Sequence, residues 1–153
     1  MYGLSCESHP HRFLGVKPWA RAVWDSIRDS KADILLLGCG FPCREITSVN
    51  KSRRGLDHGD TARFQEAKQL WMALIEEQGR SDIPIRVVWE NVASMTIETR
   101  DRITQELREI DQSVEMVCID GGNTSWSSRR RLWWTNFYVN TIENETDHFF
   151  TRV

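Results

Sequence analysis

The spacing of hydrophobic and polar positions divides the chain into three helical and four strand-like segments. Residues 17–30 and 60–78 repeat apolar side chains at helical spacing, with Pro18 near the first start and Asp60 placed to cap the second. Residues 32–38 form a short continuous apolar run, which predicts a strand covered on both faces. The predicted helices are 17–30, 60–78 and 97–110, and the predicted strands are 32–38, 85–91, 114–120 and 130–139.

The order of these segments predicts an α/β fold. Strand, helix, strand, helix, strand is the order in which crossover helices build a parallel sheet. The connection at 121–129 is too short to contain a crossover helix, so we expect the last strand to run antiparallel to its predecessor. Chemistry in such sheets lies at the carboxyl ends of the strands, here followed by 39–47, 90–95 and 120–129. The expected divisions of the single domain are an N-terminal extension at 1–31, a core at 32–139 and a tail at 140–153.

Length and composition fit one ordinary globular domain. The 153 residues are 40% hydrophobic and 27% charged, and the formal net charge of −2 argues against a protein that coats nucleic acid through bulk positive charge. Basic residues are nevertheless concentrated at 51–54 and 129–131. These two clusters are either solvated loops or local nucleic-acid contacts.

The chain shows no basic start followed by an apolar stretch, and no apolar run approaches the ~20 residues that span a bilayer. We therefore expect an intracellular location, in cytoplasm, nucleoid or nucleus, without a membrane partner. In a reducing compartment the cysteines are expected to be free thiols. They are Cys6, Cys39, Cys43 and Cys118.

Three short segments near the predicted strand ends carry candidate chemistry. Pro42 stiffens the approach to Cys43, which is either a nucleophile or a packing residue. Glu90 follows an apolar strand and is either a general acid or a loop hydrogen-bond partner. Arg129 and Arg131 alternate onto one face of the last strand, as in a basic edge strand or a ligand site. Each segment taken alone leaves both interpretations open.

Taken together and in this order, Pro-Cys at 42–43, Glu-Asn-Val at 90–92 and Arg-x-Arg at 129–131 resemble the cytosine-C5 DNA methyltransferases. The likeness is greatest to the vertebrate de novo branch of that family, through the stretches SVNKSRRGL, VVWENVASM and RRRLWWTN. It runs from about Ala32 to Asn136. The resemblance implies a truncated S-adenosylmethionine-dependent methyltransferase-like (Rossmann-like) sheet, mostly parallel with a final antiparallel strand, in a single partial domain.

The resemblance also implies catalytic roles for three residues. Cys43 would add to C6 of a cytosine flipped out of DNA, Glu90 would hold and protonate N3, and Arg131 would contact O2. The reaction would be methyl transfer from S-adenosylmethionine to C5 of cytosine, with DNA as the partner. The implied substrate-binding residues are Pro42, Asn91, Arg129, Lys51, Arg53 and Arg54.

Further positions match the family in a supporting way. Asn91 would brace the loop that carries the cysteine. The segment at 44–60 would be a mobile loop that closes over DNA, with its basic residues near phosphates. Arg63 matches an arginine that follows this loop in the family.

The cofactor half of the family's site has no counterpart in this sequence. The phenylalanine-x-glycine-x-glycine-like turn that binds S-adenosylmethionine is not found, so no cofactor-binding residue is assigned. Arg44-Glu45 replaces a polar–aspartate or glutamine-type pair, and Ser127 stands where many relatives have glutamine. Three explanations follow: a piece of a longer gene product, one subunit of a split enzyme, or an inactive DNA- or protein-binding relative with a regulatory role. An open sheet edge would favour a complementary subunit or a homo-oligomer.

Three interpretations from other classes compete with this one. A non-enzymatic nucleic-acid or protein-interaction module would need the Arg-x-Arg motif but not Cys43. A thiol-redox protein would use Cys39 and Cys43, although their Cys-x-x-x-Cys spacing differs from the usual redox motif. A zinc site built from Cys6, His9 and His11 lacks a fourth ligand at usable spacing, so no metal site is predicted.

Overall fold

The computed structural model describes residues 15–28, 30–79, 81–120, 129–138 and 150–152. All seven predicted elements are present, with shifted bounds. The helices are α1 (Val16–Arg28), α2 (Arg63–Glu77) and α3 (Ile97–Arg108). The strands are β1 (Leu35–Gly40), β2 (Ile85–Val92), β3 (Glu115–Asp120), β4 (Arg130–Thr135) and β5 (Phe150–Arg152). None of the helices in the described part of the chain has the length and apolar character needed to cross a bilayer.

The start of α2 differs from the sequence prediction. A 3₁₀ turn at Gly59–Ala62 precedes the helix. The capping position is Ala62, whose methyl side chain cannot accept a hydrogen bond. Asp60 lies inside that turn, so its predicted role as the cap of α2 is wrong. The start of α3 has a side-chain cap, because Thr96 Oγ1 accepts a hydrogen bond from the Thr99 N–H at 3.2 Å.

The five strands form one mixed sheet in the order β1-β2-β4-β3-β5. The β1–β2 ladder is parallel, and the β2–β4, β4–β3 and β3–β5 ladders are antiparallel. The predicted antiparallel pairing of the strands at 114–120 and 130–139 is confirmed. Since β4 runs opposite to both neighbours, β1, β2 and β3 still point the same way, as the helical crossovers predicted.

Two features of this sheet differ from the sequence prediction. The sheet has one parallel ladder rather than mostly parallel ladders, because β4 folds back between β2 and β3 and separates them. In addition, β5 pairs with β3, although the sequence indicated only a tail at 140–153. The coarser prediction of an α/β domain holds, with a mixed rather than mostly parallel sheet.

Helices cover one face of the sheet, which we call the packed face. It is formed by Ile85, Val87 and Trp89 of β2 with Leu132 and Trp134 of β4, all buried. Helix α2 contacts it through the rings of Trp71 and Trp89, whose centroids are 6.1 Å apart. Helix α3 contacts it where Trp134 Nε1 donates to Thr104 Oγ1 at 2.8 Å. Helix α1 packs on α2, and Trp24 Nε1 donates to the Leu74 carbonyl at 2.8 Å.

The opposite face, which we call the open face, carries Leu36, Gly38 and Gly40 of β1, Glu90 of β2, and Arg131 and Trp133 of β4. Leu36 is 61% exposed, and the neighbouring Ile34 is 54% exposed. The prediction that the first strand is covered on both faces is therefore wrong. Its physical reason is that α1, α2 and α3 pack on the other face, which leaves Ile34 and Leu36 exposed on this one.

Candidate active site at the carboxyl ends of β1 and β2

An ion pair on the open face joins two of the three predicted catalytic residues. Arg131 Nε lies 2.6 Å from Glu90 Oε1. The ladder places Glu90 opposite Trp133 and Arg131 opposite Val92, so the two charged residues are diagonal neighbours on adjacent strands. Both side chains are partly accessible, at 31% for Glu90 and 24% for Arg131. A carboxylate and a guanidinium are thus held side by side within reach of a ligand.

Asn91 points to the packed face and supports the neighbouring loop. Its Nδ2 donates to the Phe41 carbonyl at 2.8 Å, and its Oδ1 accepts from the Val92 N–H at 2.8 Å. The side chain is buried, so these bonds satisfy polar groups that water cannot reach. The bracing contact expected for Asn91 is present, because the alternation of β2 turns Glu90 to one face and Asn91 to the other.

Cys43 lies three residues beyond β1 in a segment that is anchored on both sides. Before it, Phe41 is buried against Phe64, with ring centroids 5.0 Å apart. After it, the Cys43 carbonyl accepts hydrogen bonds from the N–H groups of Ile46 at 3.0 Å and Thr47 at 2.9 Å. The thiol is free and half-buried. The cysteine therefore starts a helical turn whose position the core determines.

The end of β1 approaches the carboxylate directly. Gly40 pairs with Glu90 in the parallel ladder, and a Cβ at Gly40 would lie 3.5 Å from Glu90 Oε2. The strand that leads to Cys43 thus leaves the space beside Glu90 without a side chain. The structure brings Glu90 and Arg131 into contact and ties the loop of Cys43 to the next residue of β2.

Cys39 is unlike Cys43. It faces Trp89 on the packed side of the sheet, and burial raises the pKa of its thiol to about 11. A thiol with that pKa stays protonated near neutral pH and is a poor nucleophile. Cys39 and Cys43 are both free thiols, and the raised pKa of Cys39 makes it an unfavourable member of a thiol-redox pair.

The segment after the cysteine is built around a buried carboxylate that the sequence did not identify as structural. Glu45 is buried, and Arg54 Nε donates to its Oε2 at 3.3 Å. The hydrogen bond from Arg54 holds the pKa of Glu45 below its usual range. Gly59, with a φ of +54°, passes close by: a Cβ there would lie 3.4 Å from Glu45 Cγ. The departure from the family pattern at Arg44-Glu45 thus has a structural role for its second residue.

The same contacts limit how the 44–60 segment can move. Ile46 and Leu56 are buried, and the Gly55 N–H donates to the Glu45 carbonyl at 2.9 Å. The exposed tip of the segment lies between these anchored residues. A cavity of about 420 Å³ lies within this segment and is lined by Arg44, Glu45, Thr47, Val49, Asn50, Ser52 and Arg54.

The remaining predicted site residues are spread around this centre. Pro42 is exposed directly before Cys43, and Arg129 is exposed directly before β4. Lys51 and Arg53 are exposed on the loop tip, whereas Arg54 is engaged with Glu45. Arg63 is exposed at the start of α2, 3.9 Å from Asp60.

Several sequence predictions fall outside the described residues, namely those for Cys6, His9, His11 and Ser127. Within the described ranges, no group of three His, Cys, Asp or Glu side chains could hold a metal ion.

One buried residue at the end of the RRRLWWTN stretch has a role that sequence reasoning missed. Asn136 Nδ2 donates to the Ile85 carbonyl at 2.9 Å and to Asp111 Oδ2 at 2.9 Å, and its Oδ1 accepts from the Val87 N–H at 2.8 Å. This fully bonded amide fixes the end of β4 against the start of β2. It thereby supports the ladder that carries Glu90 and Arg131.

Comparison with known protein families gave no match, since no family model fits this chain.

Proposed function

We propose that this chain is the catalytic region of a DNA cytosine-C5 methyltransferase, on a methyltransferase-like (Rossmann-like) fold. The observation that carries the proposal is the 2.6 Å pair of Glu90 and Arg131, placed beside a cysteine loop that Asn91 tethers. Three motifs that are far apart in the sequence lie at the same end of one sheet, because Cys43 follows the carboxyl end of β1, Glu90 lies near the carboxyl end of β2, and Arg131 lies at the start of the antiparallel β4. The direction shared by β1, β2 and β3, with β4 antiparallel, also supports this fold.

The Glu90–Arg131 pair fits one edge of a cytosine base. O2 and N3 are adjacent on that edge: O2 accepts hydrogen bonds, and N3 can take a proton. A guanidinium can donate to O2 while the neighbouring carboxyl holds a proton at N3. Protonation at N3 withdraws electrons from the ring and makes C6 open to nucleophilic attack. The two side chains therefore act as one recognition and activation unit.

Cys43 supplies the nucleophile in this proposal. Its thiolate sulfur forms a bond to C6, and the C5–C6 double bond opens. The electron pair of that double bond is then shared between C5 and the part of the ring that contains protonated N3. C5 then becomes nucleophilic. C5 forms a bond to an electrophile, which is a deuteron in D₂O or the methyl group of a donor. Water then takes the original C5 hydrogen as a proton, the C5–H electron pair restores the C5–C6 double bond, and the sulfur–C6 pair leaves with the thiolate. The N3 proton returns to Glu90.

The methyl group would come from S-adenosylmethionine, which supplies an electrophilic methyl to C5. The glycines at the end of β1 are not assigned to this cofactor, because that strand leads to Cys43 and Gly40 lies against Glu90. The proposal for this chain is therefore restricted to binding and activation of the base. The exposed Lys51, Arg53 and Arg129 would contact DNA phosphates.

Base activation can be tested without a methyl donor. Addition of a thiolate at C6 lets C5 take a deuteron from D₂O, and elimination then leaves deuterium in place of the original C5 hydrogen. We expect deoxycytidine in duplexes covering many sequence contexts to gain one mass unit when incubated with the chain in D₂O, as read by mass spectrometry after digestion.

Matched variants distinguish this chemistry from background exchange. We expect Cys43→Ser to abolish the exchange and Cys118→Ser, a change at another half-buried free thiol, to retain it. Exchange that survives Cys43→Ser would contradict the nucleophile assignment. A folded chain that binds DNA through Arg129 and Arg131 but shows no exchange would instead be an inactive DNA-binding relative.

A separate calorimetric titration with S-adenosylmethionine tests the cofactor. Saturable one-to-one binding would mean that this chain holds its own methyl donor. A folded sample that shows no heat of binding would assign the cofactor site to another segment or subunit.

A further inference from the structure

A cluster of charged side chains joins α2 and α3 to the loop that precedes α2. Arg102 of α3 donates to Asp57 of that loop through both terminal nitrogens, from Nη1 to Oδ2 at 2.6 Å and from Nη2 to Oδ1 at 2.8 Å. Its Nε donates to Glu106 Oε1, one helical turn later, at 2.7 Å. The other oxygen of Glu106 accepts from Lys68 Nζ at 2.6 Å and from Gln65 Nε2 at 2.8 Å, both on α2. One guanidinium thus connects both helices to the loop.

The geometry of this cluster makes the Arg102–Asp57 pair stronger than an ordinary surface ion pair. The two side chains are 45% and 55% exposed, and single pairs with such exposure contribute little. This pair is bidentate, and Arg102 is also held by Glu106, whose side chain is only 15% exposed. Because Glu106 orders the guanidinium, the contact with Asp57 costs less side-chain entropy than a free pair would.

The cluster is balanced in charge, which distinguishes it from the basic residues at the tip of the loop. Lys68 and Arg102 supply two positive charges, and Asp57 and Glu106 supply two negative ones. A neutral cluster gives no net attraction for a DNA phosphate, whereas the exposed Arg53 at the loop tip does. The geometry therefore favours a role in holding the loop over a role in binding DNA.

The part of the loop on either side of Asp57 contacts the turn that begins at Cys43. The Gly55 N–H donates to the Glu45 carbonyl at 2.9 Å. The Glu45 N–H donates to Thr61 Oγ1 at 3.3 Å. Residues before and after Asp57 thus support the backbone two positions beyond the cysteine.

We propose that Arg102 is a positioning residue for Cys43, because its pair with Asp57 holds against α3 the loop that supports the cysteine turn. The inference rests on the proposed function, in which Cys43 is the nucleophile. Arg102 itself does not contact the base. Loss of the pair should reduce the fraction of time that the thiol spends in position for attack, so it should slow turnover without weakening DNA binding.

Alkylation of Cys43 by iodoacetamide tests the positioning role without DNA or a methyl donor. The rate constant is read by mass spectrometry of digested protein. We expect Asp57→Asn and Arg102→Gln each to raise it about fivefold, the effect of losing one favourable ion pair that keeps the loop closed. Cys39 and Cys118 are internal references in the same sample, and their rates should not change.

Matched variants show whether the effect belongs to the pair. Asp60→Asn is the control, because Asp60 is an exposed acid of the same loop whose contact with Arg63 spans only one helical turn, and it should leave the Cys43 rate unchanged. Asp57→Glu keeps a carboxylate for Arg102 and should stay close to the unmodified chain. The double variant Asp57→Asn, Arg102→Gln should match either single variant rather than multiply their effects.

Deuterium exchange at cytosine C5 gives the second readout. Arg102→Gln should lower kcat about fivefold and leave KM for the duplex unchanged, whereas a lost phosphate contact would raise KM. An unchanged Cys43 alkylation rate, faster alkylation of all three cysteines, or a raised KM with normal kcat would overturn the positioning role. Faster alkylation of Cys43 alone, in variants of a chain that shows no exchange even when unmodified, would support the loop contact and contradict the proposed function instead.

Discussion

Trp89 and Glu90 are consecutive residues of β2, yet they lie in opposite environments. Trp89 has no exposed surface and contacts the rings of Phe41, Phe64 and Trp71 on the packed face. Glu90 is partly accessible on the open face and pairs with Arg131. The packed face thus stabilises the sheet and determines where its residues lie, while the open face carries accessible charged and apolar side chains. Substitutions on the two faces should therefore separate stability from function.

The largest loss of stability is expected at the centre of the packed face. Trp89→Ala removes a fully buried indole and leaves a cavity among three aromatic rings, so it should lower the free energy of unfolding by about 3–5 kcal/mol. Urea unfolding followed by circular dichroism measures this. Trp133→Ala, one strand away and facing the opposite side, is the matched control with a smaller loss. Equal losses at both positions would contradict the expectation that the packed face contributes more to stability than the open face.

A smaller loss is expected where the packed face supports the cysteine loop. Asn91→Ala leaves the buried Phe41 carbonyl and the Val92 N–H without partners and should cost about 2–3 kcal/mol. Loosening the loop should also speed the alkylation of Cys43, measured by mass spectrometry on digested protein. Asn50→Ala is the control, because Asn50 also donates to a carbonyl at 2.8 Å but in an exposed loop. An unchanged Cys43 labelling rate would count against the bracing role.

The next prediction concerns Glu106, whose carboxylate lies between α2 and α3 and should make the free energy of unfolding depend on pH. Burial alone raises the pKa of Glu106, but hydrogen bonds from Lys68, Gln65 and Arg102 outweigh it and hold that pKa below the usual range. The unfolded chain therefore binds a proton at Glu106 more readily than the folded one does. Its contribution is present above the ordinary glutamate pKa of about 4.3 and is lost as the pH falls through the lower folded value.

Glu106→Gln should accordingly cost about 1–2 kcal/mol at neutral pH, because it removes charge from three hydrogen bonds, two of them between α2 and α3. The loss should shrink as the pH is lowered into the acid range, where the unmodified Glu106 is itself protonated. Urea unfolding at a series of pH values measures both effects. Glu109→Gln, at the exposed position directly after α3, should change neither. A pH-independent loss would mean that packing, not charge, accounts for Glu106.

Much of the fold followed from the sequence because periodicity and connection length are local properties. Helical spacing predicted α1, α2 and α3, and the short 121–129 connection predicted an antiparallel β4. Coverage of β1 did not follow, since an apolar run does not reveal whether one or both faces have neighbours. The role of Asn136 depends on three partners far away in the chain, which no local pattern contains.

For the site, the sequence predicted that three segments would lie at one rim of the sheet but not how each charge would be used. Glu90 and Arg131 are in contact, as two motifs at neighbouring strand ends suggested. Arg54, expected near phosphates, is bonded to Glu45 while 61% of its side chain stays exposed. The basic residues at 51–54 form a cluster in the sequence, but the sequence does not show which of them pairs with an acidic side chain. For Arg54 that partner is Glu45, nine residues earlier, and only the folded loop brings the two together.

The smallest stability change is expected at Glu90, where the functional change should be largest. Its ion pair with Arg131 is partly solvated, so Glu90→Gln should alter the free energy of unfolding by less than about 1 kcal/mol. The same substitution removes the proton donor for cytosine N3 and should slow deuterium exchange at C5 by about 100-fold or more.

Glu115→Gln is the control for this last change, because Glu115 is an exposed glutamate of β3 and should affect neither quantity. A Glu90→Gln chain that unfolds as easily as Asn91→Ala would make the ion pair a structural element. A Glu90→Gln chain of normal stability and normal exchange would remove Glu90 from the chemistry and leave its pair with Arg131 as a surface contact. Only loss of exchange without loss of stability would support separate roles for the two faces of β2. Trp89 would then stabilise the strand, and Glu90 would act in the chemistry.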